Sequence, residues 1–144
     1  MPPRSTVSLD SFLCLDLYAT SRAVMKAYTP LLAPLGLTYP QYLVMVALWE
    51  EAPLQVNELA TRLSLDSGTL SPLLKRLEAA GLVERKRSAE DERAVKVGLT
   101  PTGLALREKA PEVADRMAER FGLADEELLP FKRTLRAIQA RMAE

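Results

Sequence analysis

A chain of 144 residues with 48% apolar content is long enough for one domain with a real core, or for a small domain with helical extensions. Nineteen basic residues balance nineteen acidic ones, so affinity for nucleic acid can come only from local clusters. One cysteine and no histidine exclude an internal disulfide and remove the commonest general base and metal ligand, so neither a zinc site nor a cofactor is expected. The opening residues lead into no apolar run with a cleavage site, and the longest apolar run, 42–49, is far too short to span a bilayer. A cytoplasmic protein without membrane partners is therefore expected.

Residues 1–7 read as an arm. A helix is expected from near Ser8 or Asp10 toward Ala27, with Pro30 and Pro34 kinking or ending it and Gly36 closing it. Phe12, Leu13, Leu15, Leu17, Tyr18, Val24, Met25 and Tyr28 cover most of its circumference. A helix apolar nearly all round needs burial on more than one side, which in so short a chain suggests a second subunit. Thr38 and Gln41 fit a capping box, and Pro40 is tolerated in a first turn. The helix they open runs through 42–49 and stops before Pro53. It reads as the central core helix, with Met45 and Trp49 as plain core filling.

In the next segment Val56, Leu59, Ala60 and Leu63 mark one face of a short helix. Only Ser64 and Leu65 separate it from Asp66 and Ser67, both good N-caps. Leu70, Leu73, Leu74 and Leu77 then fall at helical spacing, opposite Thr69, Ser71, Lys75 and Arg76, and Gly81 ends the helix. Two helices joined by so tight a turn form a helix-turn-helix. Small hydroxyls and cations suit phosphates and base edges. Two β-like runs, 82–87 and 94–99, flank a charged turn. The predicted fold is therefore mainly α with a small β-hairpin wing, a winged helix-turn-helix. Its cations are Lys75, Arg76, Arg85, Lys86, Arg87, Arg93 and Lys96. Glu78, Glu84, Glu90, Asp91 and Glu92 are interleaved, so two copies in a dimer would make the stronger site.

Thr100-Pro101 reads as a cap and first-turn proline opening a long helix to Phe121, which Pro111 can bend. Gly122 breaks it, and Asp125 is expected to cap the last helix. There Leu128, Phe131, Leu135, Ile138 and Met142 make an a/d seam of about two heptads. Such a seam packs either within its own subunit or across a dimer. The apolar excess at both chain ends favours the dimer. The whole chain is thus expected to form one domain, with a DNA-binding core at about 37–100 and dimerisation helices at about 9–35 and 101–144.

Several long motifs carry a resemblance. Asp91-Glu92-Arg93 and Leu99-Thr100-Pro101-Thr102-Gly103 resemble a signature of the MarR family of bacterial transcription regulators. Leu13-Cys14, Tyr18-Ala19-Thr20-Ser21-Arg22, Tyr28 and Thr38-Tyr39-Pro40-Gln41-Tyr42 resemble its OhrR subgroup, the organic-hydroperoxide sensors. So do Asp66-Ser67-Gly68-Thr69-Leu70-Ser71-Pro72 and the segment from Arg85 to Arg93. The resemblance covers about 11–109 well and the last helix loosely. It implies a homodimeric repressor, not an enzyme, on a pseudo-palindromic double-stranded operator. The implied recognition helix is 67–80, which includes Ser67 and Gly68, and Arg93 enters a minor groove held by Asp91. The resemblance also implies that Cys14 reacts with peroxide, that Tyr28 and Tyr39 bond its sulfur, and that the chain is of the one-cysteine type.

Physical chemistry leaves Cys14 open. A lone cysteine in an apolar helix is ordinarily an inert small hydrophobe. Against that, the positive end of a helix favours a thiolate, and Tyr18, four residues on, shares its face. Asp10 and Asp16 oppose ionisation if they lie close. A thiolate and an organic hydroperoxide give a sulfenic acid, which with no second cysteine needs a small thiol to cap it. Cys14 and Tyr28 are fourteen positions apart, about 21 Å along one helix, so Tyr28 could reach the sulfur only from a partner chain. Three other readings stand beside the sensor: a same-fold regulator released by a small aromatic ligand with Cys14 incidental, a thiol peroxidase and a binding scaffold. The peroxidase is disfavoured by the missing resolving cysteine and by a winged helix it would not need.

Overall fold

A computed structural model describes residues 8–87, 89, 90 and 94–144. The elements run α1 (Leu13–Leu32), α2 (Tyr39–Glu50), β1 (Leu54–Gln55), α3 (Val56–Leu63), α4 (Ser67–Ala79), β2 (Val83–Arg87), β3 (Val95–Leu99), α5 (Pro101–Ala105), α6 (Ala110–Phe121) and α7 (Asp125–Met142). Short 3-10 turns cover Leu9–Ser11, Ala33–Leu35 and Leu106–Lys109. The chain divides into two compact units, one ending at Pro111 and the other Glu112–Glu144.

The spine of the first unit is α2. Thr38 accepts from the Gln41 N–H (3.4 Å) and the Gln41 side chain accepts from the Thr38 N–H (3.0 Å), the reciprocal cap expected from the sequence. Val44, Met45 and Leu48 are almost fully buried there, with Leu59, Leu70, Leu74 and Leu77 of the helix-turn-helix. All four leucines expected on the inner face of α4 are buried. The turn between α3 and α4 is closed by Ser64 in the left-handed region (φ 55°) and by a 2.9 Å bond from the Leu65 N–H to the Ala60 carbonyl.

The sheet has the order β1-β3-β2, with both pairs antiparallel. The hairpin expected from the sequence is present. The two-residue β1 is an addition: Leu54 pairs with Val97 and Gln55 with Lys96. At the root of the wing, Gly81 turns the chain at φ 76°. The Thr100 hydroxyl donates to the Gly81 carbonyl (2.6 Å) and accepts from the Gly103 N–H (3.0 Å), so one side chain caps α5 and fastens it to the α4–β2 turn. Trp49 is more than core filling. Its indole N–H donates to the Gly103 carbonyl (2.9 Å), tying α2 to α5.

Three boundaries of the first unit differ from expectation. Helix α1 begins at Leu13, because Phe12 is extended and Ser8 to Ser11 close on themselves, the Ser11 hydroxyl donating to the Ser8 carbonyl at 2.8 Å. It continues through Pro30 to Leu32, whose complete burial holds the last turn. The long helix expected after Thr100 is broken, since the Pro111 ring crowds the carbonyl four residues back and the preceding stretch tightens into the 3-10 turn.

In the second unit Val113 and Met117 are buried, and Gly122 ends α6 at φ 63°. Asp125 is the first residue of α7, not its cap. Ala124 holds the cap position, and its N–H donates to Glu127 Oε1 (3.1 Å). Along α7, Leu128, Phe131 and Met142 of the seam are exposed and Leu135 and Ile138 half-buried. No single described helix is long and apolar enough to cross a membrane.

Candidate nucleic-acid interface and thiol site

Burial of the leucine face turns the other side of α4 outward. Ser67, Gly68, Thr69, Lys75 and Arg76 are exposed and Ser71 half-buried. At 13 residues the helix is about 20 Å long, and a major groove about 12 Å wide admits an α-helix. The Asp66 carboxylate fixes its start by accepting from the Thr69 N–H at 2.6 Å. That backbone bond, aided by the Thr69 side chain, holds the Asp66 carboxyl below its ordinary 3.8. A depressed carboxyl contributes stability above its unfolded value and loses it as the pH falls through the lower folded one. Asp66→Ala should therefore melt a few degrees below the parent at neutral pH, and Asp66→Asn less so. Thermal unfolding followed by circular dichroism should show the parent's advantage over Asp66→Asn fading below pH 3.8.

The wing cations separate by strand parity. Arg85 opposes Val97 and lies on the face of the buried Val83 and Val97, while Lys86 opposes Lys96 on the other face and pairs with Glu84 at 3.4 Å. Arg85 is paired with Glu78 at 3.3 Å, and Arg87 is exposed at the end of β2. Asp91 and Arg93 lie outside the described residues. The outer face of α4, with Lys75 and Arg76, and the wing lie in one unit, a layout that can present two elements to adjacent grooves.

Cys14 is a free, exposed thiol in the first turn of α1. Asp16 shares that turn, and Asp10 lies in the 3-10 turn before it. Every residue from 12 to 23 is exposed in the single chain, including Leu13 at 63% and Tyr18 at 62%. Tyr18 carries the Arg22 guanidinium 5.6 Å above its ring. The other two candidate tyrosines are together at the far end of α1. The Tyr28 ring is 4.7 Å from that of Tyr39 and 5.9 Å from that of Tyr42, and Tyr42 meets Trp49 edge-on at 6.2 Å. Burial, with Tyr39 and Tyr42 adding, raises the Tyr28 phenol above its ordinary 10.0, and burial raises Tyr39, so both keep their protons and are able to donate.

The unbroken helix between them keeps Tyr28 about 21 Å from Cys14 within one chain. The structure thus joins Tyr28 to Tyr39 and separates both from the thiol. It adds Tyr42 and Trp49 to the cluster, which the apolar run 42–49 had hidden among core residues. Among the described residues no group of three or more His, Cys, Asp or Glu is gathered as a metal site.

The model of the MarR family matches residues 37–95, the segment that holds the helix-turn-helix and most of the wing. The organic hydroperoxide resistance transcriptional regulator of Bacillus subtilis is 46% identical over 129 residues, covering 90% of this chain and 88% of its own. Among solved structures, AbfR of Staphylococcus epidermidis is 35% identical with a TM-score of 0.77 and 92% coverage of each chain. AbfR is known reduced on DNA, overoxidised on DNA and in a disulfide form. The Staphylococcus aureus MepR–DNA complex is 25% identical with a TM-score of 0.81, over 90% of this chain and 98% of that one. With a relative this similar along nearly its whole length, the chain belongs to the MarR family of DNA-binding transcription regulators.

Proposed function

We propose that this protein is a homodimeric repressor that binds a double-stranded operator through α4 and the wing and lets go when an organic hydroperoxide oxidises Cys14. One observation carries the reading: Cys14 sits at the N-terminus of a half-helix whose apolar residues are all uncovered, while the half-buried phenols of Tyr28 and Tyr39 stand together at the other end of that helix. A second copy crossing α1 in the opposite direction covers the apolar half and brings its own Tyr28 and Tyr39 to the sulfur. The name of the Bacillus subtilis relative and the redox forms of AbfR support the same reading.

The chemistry balances in two steps. The thiolate attacks the terminal peroxide oxygen, an S–O bond forms, the O–O bond breaks, and the departing alkoxide takes a proton to leave as an alcohol. Sulfur loses two electrons and the peroxide gains them. A small thiol then displaces water from the sulfenic acid to give a mixed disulfide. Either product is larger and more polar than a thiol. In a packed interface it pushes the two α1 helices apart and misplaces the reading heads, which must reach half-sites about 34–36 Å apart.

The test is a mobility shift on DNA from directly upstream of the chain's own gene, with and without cumene hydroperoxide. Salt-sensitive binding that peroxide abolishes is expected. Arg76→Ala should bind about tenfold more weakly. A parent that binds but ignores peroxide would remove the sensing half of the reading, and an Arg76→Ala protein that binds like the parent across a salt titration would remove α4 from the interface.

A further inference from the structure

The reading helix and the wing are joined by one carboxylate. Glu78, in the last turn of α4, accepts the backbone N–H of Arg85 on Oε2 (3.1 Å) and its guanidinium on Oε1 (3.3 Å). Both oxygens are engaged by a single residue of β2. The guanidinium bond, then the backbone one, keep the Glu78 carboxyl below its ordinary 4.5, so it is ionised at neutral pH.

The α4–β2 connection is a hinge by sequence and a fixed corner by contact. Gly81 supplies the turn at φ 76°, the Leu82 N–H donates to the Leu77 carbonyl (3.0 Å), and Thr100 holds the Gly81 carbonyl (2.6 Å). Those bonds fasten the corner through backbone groups from Leu77 to Leu82 and the Thr100 hydroxyl. Glu78 and Arg85 lie one helical turn before it and three residues after it, where a contact fixes an angle rather than a point.

We propose that Glu78 is a positioning residue for DNA reading: by bridging the backbone N–H and guanidinium of Arg85, it sets the angle between α4 and the wing and so the spacing of the two grooves they reach. This rests on the DNA-binding reading above. It also assigns Arg85 to the strut instead of to phosphate. The expectation runs against simple electrostatics. A carboxylate beside a duplex repels phosphates, so its loss should tighten binding to any DNA. Loss of a strut should weaken binding, and chiefly where helix and wing must land together.

The probe is a duplex selected by the parent protein from a random pool, alongside the same duplex with its outer base pairs, where the wing reaches, scrambled. Glu78→Gln should bind the selected duplex about three- to tenfold more weakly, the scale of one partly exposed charge-assisted bond, and should lose much less on the scrambled one. Glu84→Gln, which removes a wing carboxylate without touching the strut, should bind both duplexes more tightly. A Glu78→Gln protein that tightens like Glu84→Gln, or binds both duplexes like the parent, would overturn the assignment. If Glu78→Gln melts early, Arg85→Gln reads the same link from the other side. A strut predicts flank-dependent loss with an unchanged salt slope, whereas a phosphate contact predicts uniform loss and a slope reduced by about one. A parent that enriches no duplex would overturn the DNA-binding reading itself, and this assignment with it.

Discussion

Cys14→Ser protein should repress as the parent does and stay on its DNA at doses of organic hydroperoxide that strip the parent off completely. The hydroxyl matches the thiol closely in size and shape, so affinity in the absence of peroxide is expected to be retained. Oxygen cannot follow sulfur to a sulfenic acid or a mixed disulfide, so nothing enlarges at position 14. Mobility shifts across a peroxide titration measure this, and mass spectrometry of the oxidised parent should find one sulfenic or mixed-disulfide adduct on Cys14. Release of the serine protein at the parent's dose would instead point to a regulator that responds to a ligand rather than to oxidation.

The second large effect is structural and lies far from the thiol. Gly103→Ala places a Cβ 2.0 Å from the Leu82 carbonyl oxygen and 2.9 Å from its carbon, backbone that Thr100 already holds by a 3.1 Å bond from its N–H to that same oxygen. The obstacle cannot rotate away, and moving it would disturb the Thr100 cap and the Trp49 bond to the Gly103 carbonyl. A cost of about 3 kcal/mol is expected. For a domain of this size that lowers Tm by about 6–12 °C, measurable by thermal unfolding. A variant melting within a degree of the parent would mean that α5 slides freely on the wing root.

Local signals in this chain were legible. The leucine spacing of α4, the Thr38–Gln41 box, the Asp66 cap and the glycines that turn the chain at Gly36, Gly81 and Gly122 act over four residues or fewer, and each stands where the sequence places it. The motif Leu99-Thr100-Pro101-Thr102-Gly103 could be noticed but not explained. Its reason is contact with Trp49, Gly81 and Leu82, which sequence periodicity cannot show. Strand β1 was missed because two residues carry no alternation, and its partner lies more than forty positions away. The wing cations were grouped by proximity in the chain, whereas parity sends Arg85 inward and Lys86 outward. At the thiol, helical geometry alone separated Cys14 from Tyr28. That Tyr28 meets Tyr39 and Tyr42 depends on how α1 folds back on α2.

The sharing of one sensing site between two subunits is tested by two mixed dimers. In the first, one chain carries Cys14→Ser and its partner carries Tyr28→Phe, so the surviving thiol sits on the Tyr28→Phe chain and the intact Tyr28 is on the other chain. In the second, both changes are on one chain opposite a parent chain, so the surviving thiol keeps Tyr28 in its own chain and the other chain carries phenylalanine. The measurement is the rate at which the remaining Cys14 is oxidised by cumene hydroperoxide. A tyrosine reaching across the interface predicts parent-like oxidation in the first dimer and slow oxidation in the second. A slow first dimer beside a fast second one would contradict the shared site.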